Sequence, residues 1–329
     1  MKNILQKSAI IILFLAGFFL LFKLGTKPKL PSPDAPPILY SNQTQDDLKV
    51  LYLSAIDRAK RSIHLLSYGL SDPSLLHKLK EKARDVKVKA YYDVKSNKPL
   101  PVDQGIEFHP IDEAGLMHQK ILVVDEKIVF IGSANMTKYS LQMHDNLVLG
   151  LYSPTIAKFL VEKTPFSSAH QTTWVGGQQI DLWTLPDAKN YALVYLKEKI
   201  RKAQNKIFVS MFTLTHPTLI KELIEAHNRG VHIQVVVDRT SAKGASKKAL
   251  NQLKKEKIKI RTSMGIQFMH HKFMVIDDKD LILGSTNWTK SAFYKNRDCF
   301  IVLNHLSNQQ KAFVKKLTDV ILNESVSMR

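Results

Sequence analysis

The 329 residues contain one cysteine, Cys299. That excludes an intrachain disulfide framework, a cysteine-rich zinc module and a cysteine-held iron–sulfur cluster. Acidic residues are outnumbered, with 29 Asp and Glu against 48 Lys and Arg, for a formal charge of +19. Such a balance points to a polyanionic partner surface, whether nucleic acid, anionic lipid or phosphorylated substrate, and names no reaction. No Gly-rich nucleotide loop is present, and none of the 12 histidines falls in a ligand spacing such as His-Glu-x-x-His, so no metal or other cofactor is expected. With 44% hydrophobic and 23% charged residues the chain can bury a sizeable core, as one large domain or two.

Long apolar runs are confined to the start. Ala9 to Phe22 is an unbroken stretch of 14 residues between Lys2 and Lys7 on one side and Lys23, Lys27 and Lys29 on the other. Residues 1–27 therefore read as a signal anchor or signal peptide. The anchor is favoured, because no small-x-small cleavage site follows Phe22 and the window from Ile4 to Leu24 could span if Lys7 and Lys23 snorkel. The expected location is membrane-anchored or exported, not plain cytosolic. Residues 28–43, with Pro28, Pro31, Pro33, Pro36 and Pro37, read as an extended spacer. Residues 1–27 hold four lysines and no acid, so the rest of the chain still carries +15.

From Thr44 onward one pattern runs twice, which divides the chain into units 44–165 and 166–329. In the first, Leu48, Leu51, Tyr52, Ala55, Ile56 and Ala59 recur at helical spacing, and a strand comes next over Ser62 to Tyr68. Leu193, Leu196, Ile200 and Ala203, then Ile207 to Phe212, repeat that order. Pro73 and Pro217 each suit the first turn of a second helix, where a missing amide costs no hydrogen bond. Ile63 to Ile207 and Pro73 to Pro217 are offset by 144, whereas later features are offset by 152. The second unit thus carries extra residues around Ser241 to Lys257, whose Lys243, Lys247, Lys248, Lys254, Lys255 and Lys257 read as a solvated helix face. Alternating strands and helices predict two α/β units.

The later features carry the chemistry. His118, Lys120, Asp125, Gly132, Ser133 and Asn135 recur as His270, Lys272, Asp277, Gly284, Ser285 and Asn287, every pair 152 apart. Apolar runs Lys120 to Val124 and Ile128 to Ile131 flank a polar turn, which is a hairpin. Alternation puts His118 and Lys120 on one face, and Ser133 and Asn135 share a face in the returning segment. An imidazole, an ammonium and an amide converging on one point suit an anionic tetrahedral group. Asp125 and Asp277, on the opposite face and at the turn, are read as structural, as are Gly132, Gly284, Ser133 and Ser285. His271 points away from His270, Gly176 and Gly177 mark a bend, and Trp288 could line a lipid pocket or belong to the core.

The doubled pattern His-x-Lys-x4-Asp-x6-Gly-Ser-x-Asn resembles the signature of the phospholipase D superfamily, and the resemblance extends over about residues 44–320. It implies an α/β fold of two duplicated α/β/α units in pseudo-twofold arrangement, with one shared active site that a single chain completes without a protein partner, metal or cofactor. It implies that His118 attacks phosphorus to give a phosphohistidine, while His270 acts as general acid and base. Lys120, Lys272, Asn135 and Asn287 would hold the phosphate oxygens. The family's carboxylate after each Asn, which fixes a histidine tautomer, maps onto Asp145 and Asp298, 10 and 11 residues after their asparagines. The leading expectation is a phospholipid phosphodiesterase or transphosphatidylase working at a membrane surface. A nuclease acting on DNA or RNA and a cardiolipin-synthase-like phosphatidyltransferase are the alternatives.

Overall fold

The computed structural model describes residues 28–100 and 105–328. The proposed signal segment therefore lies outside the described residues, and among those described no helix is long and apolar enough to cross a membrane.

The first unit runs β1 (Ile38–Ser41), α1 (Leu48–Asp57), β2 (Ser62–Ser67), α2 (Pro73–Lys82), β3 (Lys87–Asp93), β4 (Ile106–Ile111), β5 (Lys120–Val124), β6 (Ile128–Gly132), α3 (Lys138–Gln142), β7 (Leu147–Tyr152) and α4 (Pro154–Lys163). A β8–β9 hairpin (Ala169–Val175, Gln178–Thr184) opens the second. Next come α5 (Tyr191–Arg201), β10 (Lys206–Met211), α6 (Pro217–Asn228), β11 (His232–Val237), α7 (Arg239–Lys243), α8 (Lys247–Lys255) and β12 (Lys259–Ser263). It closes with β13 (Lys272–Ile276), β14 (Asp280–Gly284), α9 (Lys290–Tyr294), β15 (Cys299–Leu303), α10 (Asn308–Asn323) and β16 (Ser325–Ser327).

One sheet has the order β1-β7-β6-β5-β2-β3-β4, the other β16-β12-β11-β10-β13-β14-β15-β9-β8. The run β7-β6-β5-β2-β3-β4 thus reappears as β15-β14-β13-β10-β11-β12, so the sequence repeat is a repeat of topology. The parallel pairs β2–β3 and β10–β11 are joined through α2 and α6, as a parallel crossover requires. Pro73 and Pro217 open those helices, with Asp72 accepting from the Leu75 amide at 3.0 Å as N-cap.

The inner faces of the two sheets share one core. Ile121, Val123, Val129 and Ile131 meet Phe273, Val275, Leu281 and Leu283, with α4 and α10 contributing Ile156, Leu160, Leu317 and Ile321. The outer faces are covered by α1 and α2 on one side and α5, α6 and α8 on the other. The extra residues of the second unit form α7 and α8; α8 buries Ala249, Leu250 and Leu253 and exposes its lysines, as an amphipathic surface helix does. Trp288 is core, 3% exposed.

The Pro-rich stretch departs from the spacer reading. Leu30 and Pro37 are buried, Tyr40 Oη donates to the Lys29 carbonyl at 2.5 Å, and Gln310 Nε2 donates to the Pro37 carbonyl at 2.9 Å. Residues 38–41 then pair antiparallel with β7. Proline restricts the backbone without dictating solvation, and here the apolar residues between the prolines found a face to cover. Gly176 and Gly177, both at positive φ, do form a bend, and Gly176 lies so close to residues 35–36 that a Cβ would sit 2.4 Å from the Ala35 carbonyl carbon.

Candidate active site

Each motif is a two-residue hairpin with both turn residues at positive φ: Asp125 and Glu126 at 53° and 54°, Asp277 and Asp278 at 53° and 51°. This is the turn handedness that matches strand twist. The Asp125 carboxylate accepts from the amides of Lys60, Arg61 and Ser62 at 3.0, 2.7 and 3.0 Å. Asp277 does the same with Gln204, Asn205 and Lys206 at 2.9, 2.8 and 2.9 Å. The motif aspartates therefore pin the hairpin to the loop that enters β2 or β10, far from the histidines. Their role is structural, but the backbone they bind is about 70 residues away in sequence, not local.

At the other end of each hairpin the returning strand passes very close to its neighbour. A Cβ on Gly132 would lie 2.4 Å from the Leu147 carbonyl oxygen, and one on Gly284 would lie 2.3 Å from that of Cys299. Only glycine permits this approach, and it brings the next residue, the motif serine, against the segment entering β7 or β15. Ser133 Oγ donates to Asn146 Oδ1 at 2.9 Å, and Ser285 Oγ donates to Asp298 Oδ1 at 2.6 Å. The two serines thus hold the residues that in turn hold the histidines.

That last contact crosses between units. Asp298 Oδ1 is 2.9 Å from Nδ1 of His118, 180 residues away, and Asn146 Oδ1 is 3.0 Å from Nδ1 of His270, 124 residues away. The backbone crosses as well: the His118 amide donates to the Arg297 carbonyl at 2.8 Å, and the His270 amide donates to the Asp145 carbonyl at 2.9 Å. Asp145 is therefore not the second tautomer-fixing group. Its backbone forms an isolated bridge with Met269 of the other unit, and since neighbouring side chains in extended chain point opposite ways, Asn146 faces the histidine. Asn146, 11 residues after Asn135 as Asp298 is after Asn287, completes the 152-residue offset. That offset is the signal, and an amide in place of a carboxylate masks it.

The tautomers are set by these partners. Asn146 Nδ2 donates to the Ser140 and His144 carbonyls at 2.8 and 3.0 Å, which leaves Oδ1 as acceptor and makes His270 Nδ1 a donor. Asp298, an acceptor, imposes the same on His118. In both rings Nε2 makes no hydrogen bond among the described residues.

Lys120 and Lys272 are 0% and 3% exposed and reach back to the carbonyls of His118 at 2.5 Å and His270 at 2.8 Å. Burial drives the Lys120 ammonium down to about 7. Lys272 is driven well below the usual lysine range, by burial first and then by the charge of Lys120. Burial and nearby lysines also lower His118 and His270; Lys120, Lys272 and His118 all bear on His270, so both motifs occupy one electrostatic site. Tyr68 sits edge-on to His118 at 5.4 Å and Phe212 edge-on to His270 at 5.1 Å, with Lys120 and Lys272 over those rings at 5.3 and 5.1 Å. Sequence reading passed over this aromatic pair at the ends of β2 and β10. Asn287 Oδ1 accepts from the Thr213 amide at 3.2 Å, so its NH2 is the group left to donate. Asn135 Oδ1 is buried without a partner. His271, facing away, meets Gln43 at 2.6 Å.

Two imidazoles whose Nε2 atoms make no hydrogen bond among the described residues, two buried lysine amines and two carboxamides suit an anion that undergoes nucleophilic substitution. The chain has known relatives. A family model described as "Cardiolipin synthase, PLD-like domain" matches twice, over residues 52–164 and 196–321. Mitochondrial cardiolipin hydrolase of Mus musculus is 29% identical over 120 residues, which cover 36% of this chain and 53% of that protein. Phospholipase D of Rickettsia conorii is 28% identical over 109 residues, 33% of this chain and 54% of that protein. This chain thus spans about half the length of each. Phosphatidylserine synthase of Haemophilus influenzae has the same fold, with a TM-score of 0.69 at 14% identity over 91% of this chain and 88% of its own.

Proposed function

Because the chain belongs to the phospholipase D superfamily and carries its PLD-like domain twice, we propose that it is a metal-independent phosphodiesterase that opens phospholipid headgroup bonds through a phosphohistidine. The observation that carries this reading is the crossed pair of contacts, Asp298 on His118 and Asn146 on His270, which presents two Nε2 atoms in one lysine-lined pocket. His118 is the nucleophile: a phosphorylated imidazole gains positive character, and the Asp298 carboxylate is placed to stabilise it. Nε2 of His118 forms a bond to phosphorus as the bond to the leaving oxygen breaks, and His270 gives that oxygen a proton. Water then yields a proton to His270 and attacks phosphorus, breaking the P–N bond and restoring both rings. An alcohol in place of water turns hydrolysis into transfer. Burial depresses His270 most and the charges of Lys272 and Lys120 add to it; an anion bound between the two lysines offsets that second part and helps His270 hold its proton.

The lipid assignment is supported by the apolar run at residues 9–22, by the +15 on the chain beyond residue 27, and by relatives named for phospholipid chemistry. That same charge favours nucleic acid as a second substrate class. The purified protein is to be incubated with phosphatidylcholine, phosphatidylglycerol and single-stranded DNA. Headgroup release that His118→Ala lowers by on the order of 10³-fold or more, with acid-labile phosphorus on the wild-type chain, is the expected result. Cleavage of DNA alone overturns the lipid reading, and loss of activity in chelator with recovery on adding metal overturns the mechanism.

A further inference from the structure

The 152-residue offset also pairs the loops that lead into the two catalytic histidines, and the two are built differently. Loop 112–116 is tied down. Arg297 of the second unit forks onto Glu113 at 2.9 and 3.0 Å and donates to the Phe166 carbonyl at 2.8 Å. Gly115 lies so near residue 295 that a Cβ would sit 1.9 Å from the Lys295 carbonyl oxygen.

Loop 264–268 has none of these ties. Asp145 stands where the other copy has Arg297, and Gly265 stands where it has Glu113, so the forked ion pair has no counterpart. Backbone bonds hold the two ends, from the Met264 amide to Glu324 at 2.9 Å and from the Asp145 amide to Phe268 at 3.0 Å. Beside the loop is a cavity of about 410 Å³ walled by Gln43, Asp145 and Glu324 together with Met269 and Ile321 of the core.

The side chains set free are apolar. Ile266 is 88% exposed, the most exposed large hydrophobic residue among those described, with Met264 at 49% and Phe268 at 39%. Beside the loop, α3 and the residue after it expose Tyr139 at 63% and Met143 at 42%. This patch adjoins the pocket: the Phe268 ring is 5.1 Å from His144 and 5.7 Å from Phe212, whose ring is 5.1 Å from His270. Loop 264–268 carries no charge, whereas its counterpart contains Asp112 and Glu113. A strand-binding rim wants cations interleaved with stacking rings. An aliphatic tip on an uncharged loop, with exposed Lys138 behind it, fits hydrocarbon below a headgroup layer instead.

We propose that loop 264–268, with the adjoining outer face of α3, enters the lipid bilayer at the mouth of the active site, Ile266 leading, and that loop 112–116 stays in water. This rests on the phospholipid reading of the site and adds which edge of the pocket meets the membrane. The headgroup phosphate would then reach His118 and His270 from the Phe268 side without the lipid leaving its leaflet.

The full chain suits a direct test, because Cys299 is its one cysteine and is buried, its thiol pushed up by burial to about 12. Ile266→Cys and, as the counterpart, Ala114→Cys are labelled with a polarity-sensitive thiol dye, each in a His118→Ala background so that no lipid is consumed. With phosphatidylcholine–phosphatidylglycerol vesicles, emission at 266 is expected to rise about threefold and to be quenched by brominated acyl chains, with little change at 114. A dye at 266 that stays as in water, an equal response at both positions, or a response to single-stranded DNA in place of vesicles overturns the proposal. Since docking is read without turnover, a lipid hydrolase with a silent 266 sinks the loop alone, and a bilayer signal on a chain that cleaves only DNA sinks the substrate reading alone.

Discussion

Asp298 and Asn146 occupy equivalent places in the two units, each bound by the motif serine of its own unit and each bonded to the motif histidine of the other, yet one is a carboxylate and the other an amide. The site is symmetric in outline and asymmetric in charge. The extra negative charge falls on the ring that the mechanism asks to become positive.

Exchanging these residues separates their contributions. Asp298→Asn should fold normally, because an amide already fills the equivalent place, while kcat falls by on the order of 10² to 10⁴. Asn146→Asp should raise the pKa of His270, which must keep a proton to give to the leaving group. The basic limb of the kcat/KM profile therefore moves to higher pH by about one unit. Steady-state rates from pH 5 to 9 and a melting curve for each variant check this; an unmoved basic limb in Asn146→Asp would remove His270 as the acid.

Anion affinity should depend on pH through the buried lysines. Burial lowers Lys120 to about 7, and a phosphate between it and Lys272 favours the charged form. Binding therefore takes up protons, and the affinity for inorganic phosphate falls as pH rises above 7, by up to about tenfold per pH unit while one proton is taken up. Titration calorimetry in buffers of different ionisation enthalpy reads the proton directly. An affinity flat from pH 6.5 to 8.5 would contradict it.

The motif glycines are required by space. Gly284→Ala puts a Cβ 2.3 Å from the Cys299 oxygen and 2.7 Å from the Phe300 Cα, both backbone atoms of β15. A loss of about 2 to 4 kcal/mol is expected in urea unfolding, with a drop in activity as Asp298 shifts. Gly132→Ala, at 2.4 Å from the Leu147 oxygen, should cost a similar amount and disturb Asn146.

Acid should unfold the protein through its neutral histidines. Burial lowers His64 to about 4, His216 to about 4 and His271 to about 3. Their folded values lie below the ordinary 6.5, so below that pH the unfolded chain binds more protons. Their contribution is full above about pH 6.5 and is lost as pH falls toward 4. Asp145 runs the other way: burial raises it to about 7, so its contribution is lost as pH rises through that value. Three histidines against one carboxyl give a Tm that drops by roughly 5 to 10 °C from pH 7 to 5. A Tm constant over that interval would show that these rings are protonated in the folded chain.

Much of the architecture could be read from spacing. The constant offset of 152 announced the doubled hairpin, and helical and strand periods placed α1, β2, α5 and β10 because those elements bury one face against a core. What spacing along the chain could not show is contact across it. The bonds from 298 to 118 and from 146 to 270 depend on how two sheets stack. A family pattern that has a carboxylate at this place points to Asp145, one residue from the amide that is bonded to His270. The Pro-rich stretch differs from its composition for a related reason: whether Leu30 and Pro37 are buried is decided by a face built from β1, β7 and α10, which local composition does not encode.

The crossed holding of the histidines makes the two halves of the polypeptide dependent on one another for more than folding. A half severed from its sister would keep its imidazole and lose the group that orients it. Damage at residue 298 is felt chemically at residue 118. Such a chain inherits its two motifs as a linked set, and drift in one narrows what the other can tolerate.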